Sequence, residues 1–157
     1  MGLLYETWLG VARKSGSETA LHDLASGQRW TFNELLAQGE REPEKLSGIT
    51  FPQGHDAEFI FSVLRAWRQN QVTCPLELSQ PTPRITELPD WCGHLKLTSA
   101  TGGTAKCIAF TASQLAADAA NIVSTMELRP DWPNIACISL AHSYGFSNFV
   151  TPLLLVG

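Results

Sequence analysis

Three things are scarce in this chain, and each scarcity removes a class of function. Charge is thin: Asp, Glu, Lys and Arg make up 17% of the 157 residues, with a formal net charge of −4. A nucleic-acid backbone calls for a basic face, so this balance argues against nucleic acid as the main partner. Long apolar runs are missing. No window reaches the roughly 18 apolar residues of a membrane-spanning helix, so no membrane role is expected. The N-terminal stretch MGLLYETWLGVARKSG turns polar early and lacks the charged-then-apolar pattern of a secretion signal, making the cytoplasm the expected compartment. Closely spaced cysteine pairs are missing too. Cys74, Cys92, Cys107 and Cys137 stand apart, and Cys92-Gly93-His94 alone cannot make a zinc site. These read as reduced, mostly buried thiols, with no metal site. There is no internal repeat and no low-complexity tract.

What remains is one domain's worth of chain, long enough to bury a proper core, with an ordinary apolar fraction of 44%. Spacing predicts an amphipathic helix from Leu3 to about Lys14, with Leu4, Trp8, Val11 and Ala12 inward and Gly16 as its stop. Thr19 to Asp23 and Gln28 to Trp30 read as strands of a hairpin turning at Ser26-Gly27. Thr31 and Glu34 form a capping box for a helix from Phe32 to about Gln38. Residues 39–47 are a charged, proline-broken surface connection. A strand at Ile49 to Phe51, a helix from Ala57 to about Gln69 capped by Asp56, and a strand at Val72 to Leu76 make a βαβ unit. Phe59, Ile60, Val63, Leu64 and Trp67 are its apolar face. His55, at a strand end where ligands tend to bind, is read as a solvated loop histidine. Residues 77–90, with prolines at 81, 83 and 89, form an internal linker.

The informative stretch follows, LKLTSATGGTAKCIAFT from Leu95 to Thr111. Leu95, Leu97, Ile108 and Phe110 give period-two runs that predict strand, loop, strand. The loop offers hydroxyls from Thr98, Ser99, Thr101 and Thr104, and Gly102 and Gly103 let backbone N–H groups converge on an anion. Lys106 adds a positive charge on a flexible stem, suited to a polyphosphate tail. Most loops of this composition merely connect strands. It is not a Walker A loop, since Cys107 follows the lysine where Ser or Thr is required. Thr111 and Gln114 then form a second capping box for a helix from Ala112 to Met126, with Leu115, Ala119, Ile122 and Val123 inward. Asn134 to Leu140 reads as a strand buried on both faces. It ends at Ala141-His142-Ser143-Tyr144-Gly145-Phe146, and a helix is expected from Phe146 onward.

The run Thr98 to Lys106 resembles the phosphate-binding signature TSGTTGxPKG of the AMP-forming adenylate synthetases, which include acyl-CoA synthetases, luciferases and peptide-synthetase adenylation domains. Thr98, Ser99, Thr101, Gly103 and Lys106 match in register. Ala100 and Cys107 replace glycine, Gly102 replaces Ser or Thr, and Ala105 replaces proline. His142 and Gly145 are similar to the family's next motif, a PxxHxxG-like turn opening a helix, with Ser139 where its proline usually stands. The hairpin with an aromatic end and a capped helix also resembles the family's opening.

The resemblance implies an α/β fold, a layered sheet with flanking helices forming the N-terminal part of the adenylate-forming large domain. It implies that Thr98, Ser99, Thr101, Gly102, Gly103, Thr104 and Lys106 hold ATP phosphates, and that His142, Ser143 and Gly145 border the pocket of a small carboxylic acid. In the family, the acid attacks the α-phosphate, pyrophosphate leaves, and the acyl group passes to coenzyme A or a carrier protein, with Mg2+ required. The family's later motifs have no counterpart here, so residues 1–157 are expected to be a single incomplete domain with no complete catalytic set, inactive alone. Two other readings stand beside it: a non-catalytic nucleotide- or phosphate-binding module, and an interaction piece that self-associates through an exposed C-terminal apolar segment.

Overall fold

The computed structural model describes residues 2–41, 48–98 and 106–157, and the fold is mixed α/β. Helix α1, Leu3–Ser15, buries Leu4, Tyr5, Trp8, Val11 and Ala12, the stripe that the 3.6-residue spacing marks out. Strands β1, Thr19–His22, and β2, Arg29–Thr31, pair antiparallel. Their turn is held by Asp23, whose carboxylate accepts from the Ala25 amide at 2.9 Å and the Ser26 hydroxyl at 2.7 Å. Gly27 has φ +73°, the left-handed region that glycine enters freely. Helix α2, Phe32–Glu40, starts at the Thr31–Glu34 capping box, with both reciprocal bonds formed.

Strand β3, Ile49–Thr50, helix α3, Ala57–Arg68, and strand β4, Val72–Thr73, form the expected βαβ unit, with β3 and β4 parallel. Beyond β4 the extended run continues only as one bridge, Gln53 to Leu76. Strand β5, His94–Leu97, lies parallel to β4, and strand β6, Cys107–Phe110, pairs antiparallel with β5, so the sheet order is β3-β4-β5-β6. Helix α4, Ala112–Thr125, follows the second capping box, Thr111 with Gln114. The 77–90 segment has no helix or strand, yet it is more than a spacer. Its Ile85 and Leu88 pack on Val72, Cys74, Leu76, Cys92 and Leu95, covering one face of the sheet.

The larger core lies on the other face, where α1, α2, α3 and α4 meet the end of the chain. Helix α5, Ser143–Gly145, runs into a π-helical turn at Phe146–Val150 and then helix α6, Thr151–Leu155. Pro152 explains the wide turn. It has no N–H to give the Asn148 carbonyl, so that oxygen accepts from Asn134 Nδ2 at 3.0 Å. The Thr151 amide reaches back to Phe146 O.

Three expectations are corrected. The C-terminal apolar segment is mostly not exposed: Pro152, Leu154 and Leu155 are buried beside α1 and α4, Leu153 is half-buried, and Val156 is exposed. Asn134 to Leu140 is neither strand nor buried: only Leu140 is buried, Ser139 is half-buried, and among the described residues no strand pairs with the segment. The cysteines divide evenly: Cys74 and Cys92 are buried, Cys107 and Cys137 exposed, all free thiols. Part of the 39–47 connection lies outside the described residues.

The core depends on aromatic packing between α3 and the final helices. Phe59 is fully buried and meets Phe146 edge-on at 6.3 Å. Phe59→Ala is expected to cost about 3–5 kcal/mol of unfolding free energy, measured by urea denaturation.

Candidate functional site

The loop that carries the phosphate-binding expectation joins β5 to β6, so it is the tip of a hairpin. Its ends are clamped by two bonds. The Thr98 amide donates to Lys106 O at 2.9 Å, and the Lys106 amide donates to Thr98 Oγ1 at 3.0 Å. Such closure sets the span between the two ends of a seven-residue connection, as a cradle for an anion requires. The calls on Ser99, Thr101, Gly102, Gly103 and Thr104 lie outside the described residues. Thr98 is half-buried, and its hydroxyl oxygen is already engaged in holding the loop base. Lys106 is exposed, and no carboxylate among the described residues pairs with it.

The second expected place is the turn before α5. His142 is exposed and acts as the helix N-cap, its Nδ1 accepting from the Tyr144 amide at 3.2 Å. That bond sets the tautomer, leaving the proton on Nε2. Ser143 is exposed. Gly145 is buried for a steric reason. A Cβ there would overlap the Ser139 carbonyl oxygen and lie 2.9 Å from its carbon, so only glycine lets the helix start pack on the incoming chain. No hydrogen bond or ion pair among the described residues joins Lys106 to His142. His55 is exposed in its loop, as read from the sequence.

The two places are joined indirectly, through residues that the sequence reading passed over. On β5, Leu95 and Leu97 point to the face covered by the 77–90 segment, which puts His94 and Lys96 on the other face. His94 is fully buried, stacked on Phe146 with ring centroids 4.4 Å apart, and its Nδ1 lies 2.8 Å from Thr73 Oγ1. Its Nε2 is buried without a partner among the described residues. Burial and the nearby Lys96 cation push its pKa down to about 3, so the ring is neutral. The Lys96 amine donates to Ser147 Oγ at 2.8 Å, and the Ser147 hydroxyl donates to Asp118 Oδ2 at 2.8 Å. Lys96 also lies 4.0 Å from Asp118 and 5.0 Å from the Phe110 ring centroid. Burial lowers its pKa, and Asp118 partly restores it. Lys96, Phe110, Gln114, Leu115 and Asp118 line a cavity of about 160 Å³. The only signal in the sequence was a cation at the centre of an apolar strand, two residues from a histidine.

This arrangement ties the strand that feeds the loop to the helical segment that follows His142. It can position, because both roots are fixed to one buried strand. Among the described residues no group of three His, Cys, Asp or Glu side chains could hold a metal ion. None of their helices is long and apolar enough to cross a membrane.

No family model and no curated protein matches the sequence. Solved structures do. VinN aligns with TM-score 0.77 at 12% identity, covering 98% of this chain and 54% of its own. The O-succinylbenzoate coenzyme A synthetase MenE from Bacillus subtilis, solved in complex with AMP, aligns with TM-score 0.75 at 16% identity, covering 94% and 53%. ATP-bound MatB from Rhodopseudomonas palustris aligns with TM-score 0.77 at 14% identity, covering 98% and 44%. At such identities the likeness establishes a shared fold: this chain has the α/β architecture of those domains and spans about half their length.

His94 gives a pH signature. The native ring stays neutral down to about pH 3, whereas an unfolded histidine takes a proton near 6.5, so the unfolded state binds more protons in between. Stability is complete above pH 6.5 and is lost as pH falls toward 3, by about 1.4 kcal/mol per pH unit from this group. Urea unfolding of His94→Asn across that window is expected to show a shallower pH slope than the parent, whatever its stability at neutral pH.

Proposed function

We propose that this chain corresponds to the N-terminal part of an AMP-forming acid–thiol ligase and supplies the cradle for the tail of ATP. The observation that carries the reading is Lys106: an exposed amine with no carboxylate partner among the described residues, next to the Thr98–Lys106 bonds between β5 and β6, in a fold shared with structures that hold AMP and ATP. The motif from Thr98 to Lys106 supports it independently, since it falls on the same loop.

The reaction of the whole enzyme is attack by a carboxylate on the α-phosphate, forming acyl-AMP and releasing pyrophosphate. The acyl group then passes to a thiol of coenzyme A or a carrier protein. Catalysis of such a displacement is largely positioning and neutralisation of charge. In this reading the loop amides, the hydroxyls of Ser99, Thr101 and Thr104, and Lys106 hold the β- and γ-phosphates. Gly102 and Gly103 give the backbone its freedom, and Thr98 fixes the loop base. His142, with Nε2–H directed outward from its capping bond, borders the acid pocket with Ser143, and Gly145 fixes the helix start. A small carboxylic acid as substrate is in keeping with the VinN structure solved with L-aspartate.

No residue is assigned to Mg2+, because the described residues offer no metal-binding cluster. No catalytic residue is assigned, and the chain alone is expected not to turn over. Cytoplasmic placement belongs to the same proposal.

Calorimetric titration with ATP tests the reading. The parent chain is expected to bind ATP, and Lys106→Ala to weaken binding by about ten- to a hundredfold, as loss of a charge-assisted bond to phosphate would. His142→Ala is expected to leave ATP affinity unchanged. Equal binding by the parent and Lys106→Ala makes the loop a structural connection.

A further inference from the structure

The cavity beside β5 is walled by charge, in a chain that has little of it. Lys96 faces it from β5, Gln114 and Asp118 stand one turn apart on α4, and Phe110 and Leu115 are its apolar part. Lys106, His142 and Ser143 are not among the described residues that line it. Its polar groups are only partly spent. Ser147 takes one N–H of the Lys96 ammonium at 2.8 Å, while Asp118, 4.0 Å away, is beyond hydrogen-bond reach. Asp118 Oδ2 accepts from Ser147 at 2.8 Å, and its Oδ1 has no partner among the described residues. Gln114 spends Oε1 on the Thr111 amide at 2.9 Å, which leaves the Nε2 donors without a partner among those residues. The Lys96 side chain is only 18% exposed, and donors so covered ordinarily find an acceptor.

We infer that this cavity binds a small α-amino acid as its zwitterion, the carboxylate toward Lys96 and Gln114 and the ammonium toward Asp118. Charge selects that class. An anion alone would sit against the Asp118 carboxylate and a cation alone against the Lys96 amine, and like charges brought together are costly. A zwitterion meets the open donors and the open acceptor at once. Spacing selects it further. Lys96 and Asp118 are 4.0 Å apart, and an α-amino acid carries both its charges on one carbon, so its two ends reach both partners together. An ω-amino acid sets its charges too far apart for so close a pair. Phe110 and Leu115 suit a short apolar side chain, and a volume of about 160 Å³ admits no large one. The inference stands whether or not the β5–β6 loop holds phosphate.

Amide NMR titration of the nitrogen-labelled chain with L-alanine tests this, with acetate, methylammonium and 4-aminobutyrate as controls at matched ionic strength. L-Alanine is expected to shift the signals of residues 96, 110, 114, 115 and 118 together and saturably, and to bind about tenfold or more tighter than each control. Two variants probe the two ends of the ligand. Asp118→Asn keeps an acceptor for Ser147 but loses the charge that meets the ammonium. Gln114→Glu keeps the capping acceptor for Thr111 but sets a carboxylate against the ligand's own. Each is expected to weaken L-alanine binding about tenfold or more, with circular dichroism and thermal unfolding close to those of the parent. Absence of saturable shifts at these amides overturns the inference. So does acetate or 4-aminobutyrate binding as tightly as L-alanine, or an affinity for L-alanine that both variants leave unchanged.

Discussion

Strand β5 is covered on both faces, and that single constraint organises the molecule. One face of the strand presents Leu95 to the apolar cover laid down by the 77–90 segment. The other presents His94 and Lys96 to Phe146 and Ser147. Burying a histidine and a lysine side by side costs solvation, and the fold offsets it differently for each. The histidine gives up its charge and stacks on an aromatic ring; the lysine keeps a hydroxyl and, at 4.0 Å, a carboxylate. Moving β5 would break both compensations at once. The hairpin tip that the strand carries and the helical segment after His142 are therefore fixed relative to a common element. A site built from loop residues gains accuracy when its roots are immobile in this way.

The same logic bears on the proposed phosphate recognition. The ends of β5 and β6 are held together by the Thr98–Lys106 pair of bonds. Lys106 is exposed, with no carboxylate partner among the described residues. The buried Lys96 is the opposite case: it is engaged within the protein and serves to hold structure together. Two lysines ten residues apart have thus been given different work by burial alone.

Much of the scaffold was legible because its signals are local. Thr31 with Glu34 and Thr111 with Gln114 both close as capping boxes, and the α3 stripe from Phe59 to Trp67 is buried as its spacing demands. The βαβ unit followed from strand, helix and strand in sequence. What escaped depended on contacts distant in the chain. His94 and Lys96 read as the outer face of a half-buried strand, and nothing local announces that Phe146 and Ser147, some fifty residues later, will cover them. Residues 134–140 failed for the converse reason: apolar composition predicts burial, but a ladder needs a partner, and among the described residues no strand pairs with the segment. The C-terminal segment was expected to be exposed, yet α1 and α4 close over it. Of the candidate site, Lys106 is exposed beside β6 and His142 caps α5, while Gly145 is a steric requirement set by the Ser139 carbonyl.

The account stands on the hairpin tip being an anion cradle. The most direct measurement is an amide NMR spectrum of the nitrogen-labelled chain recorded during addition of ATP. The account predicts that the amide signals of residues 98–106 shift together and saturably, and that pyrophosphate shifts the same set. Signals that stay fixed while ATP is raised, or shifts confined to surfaces away from β5 and β6, would contradict it.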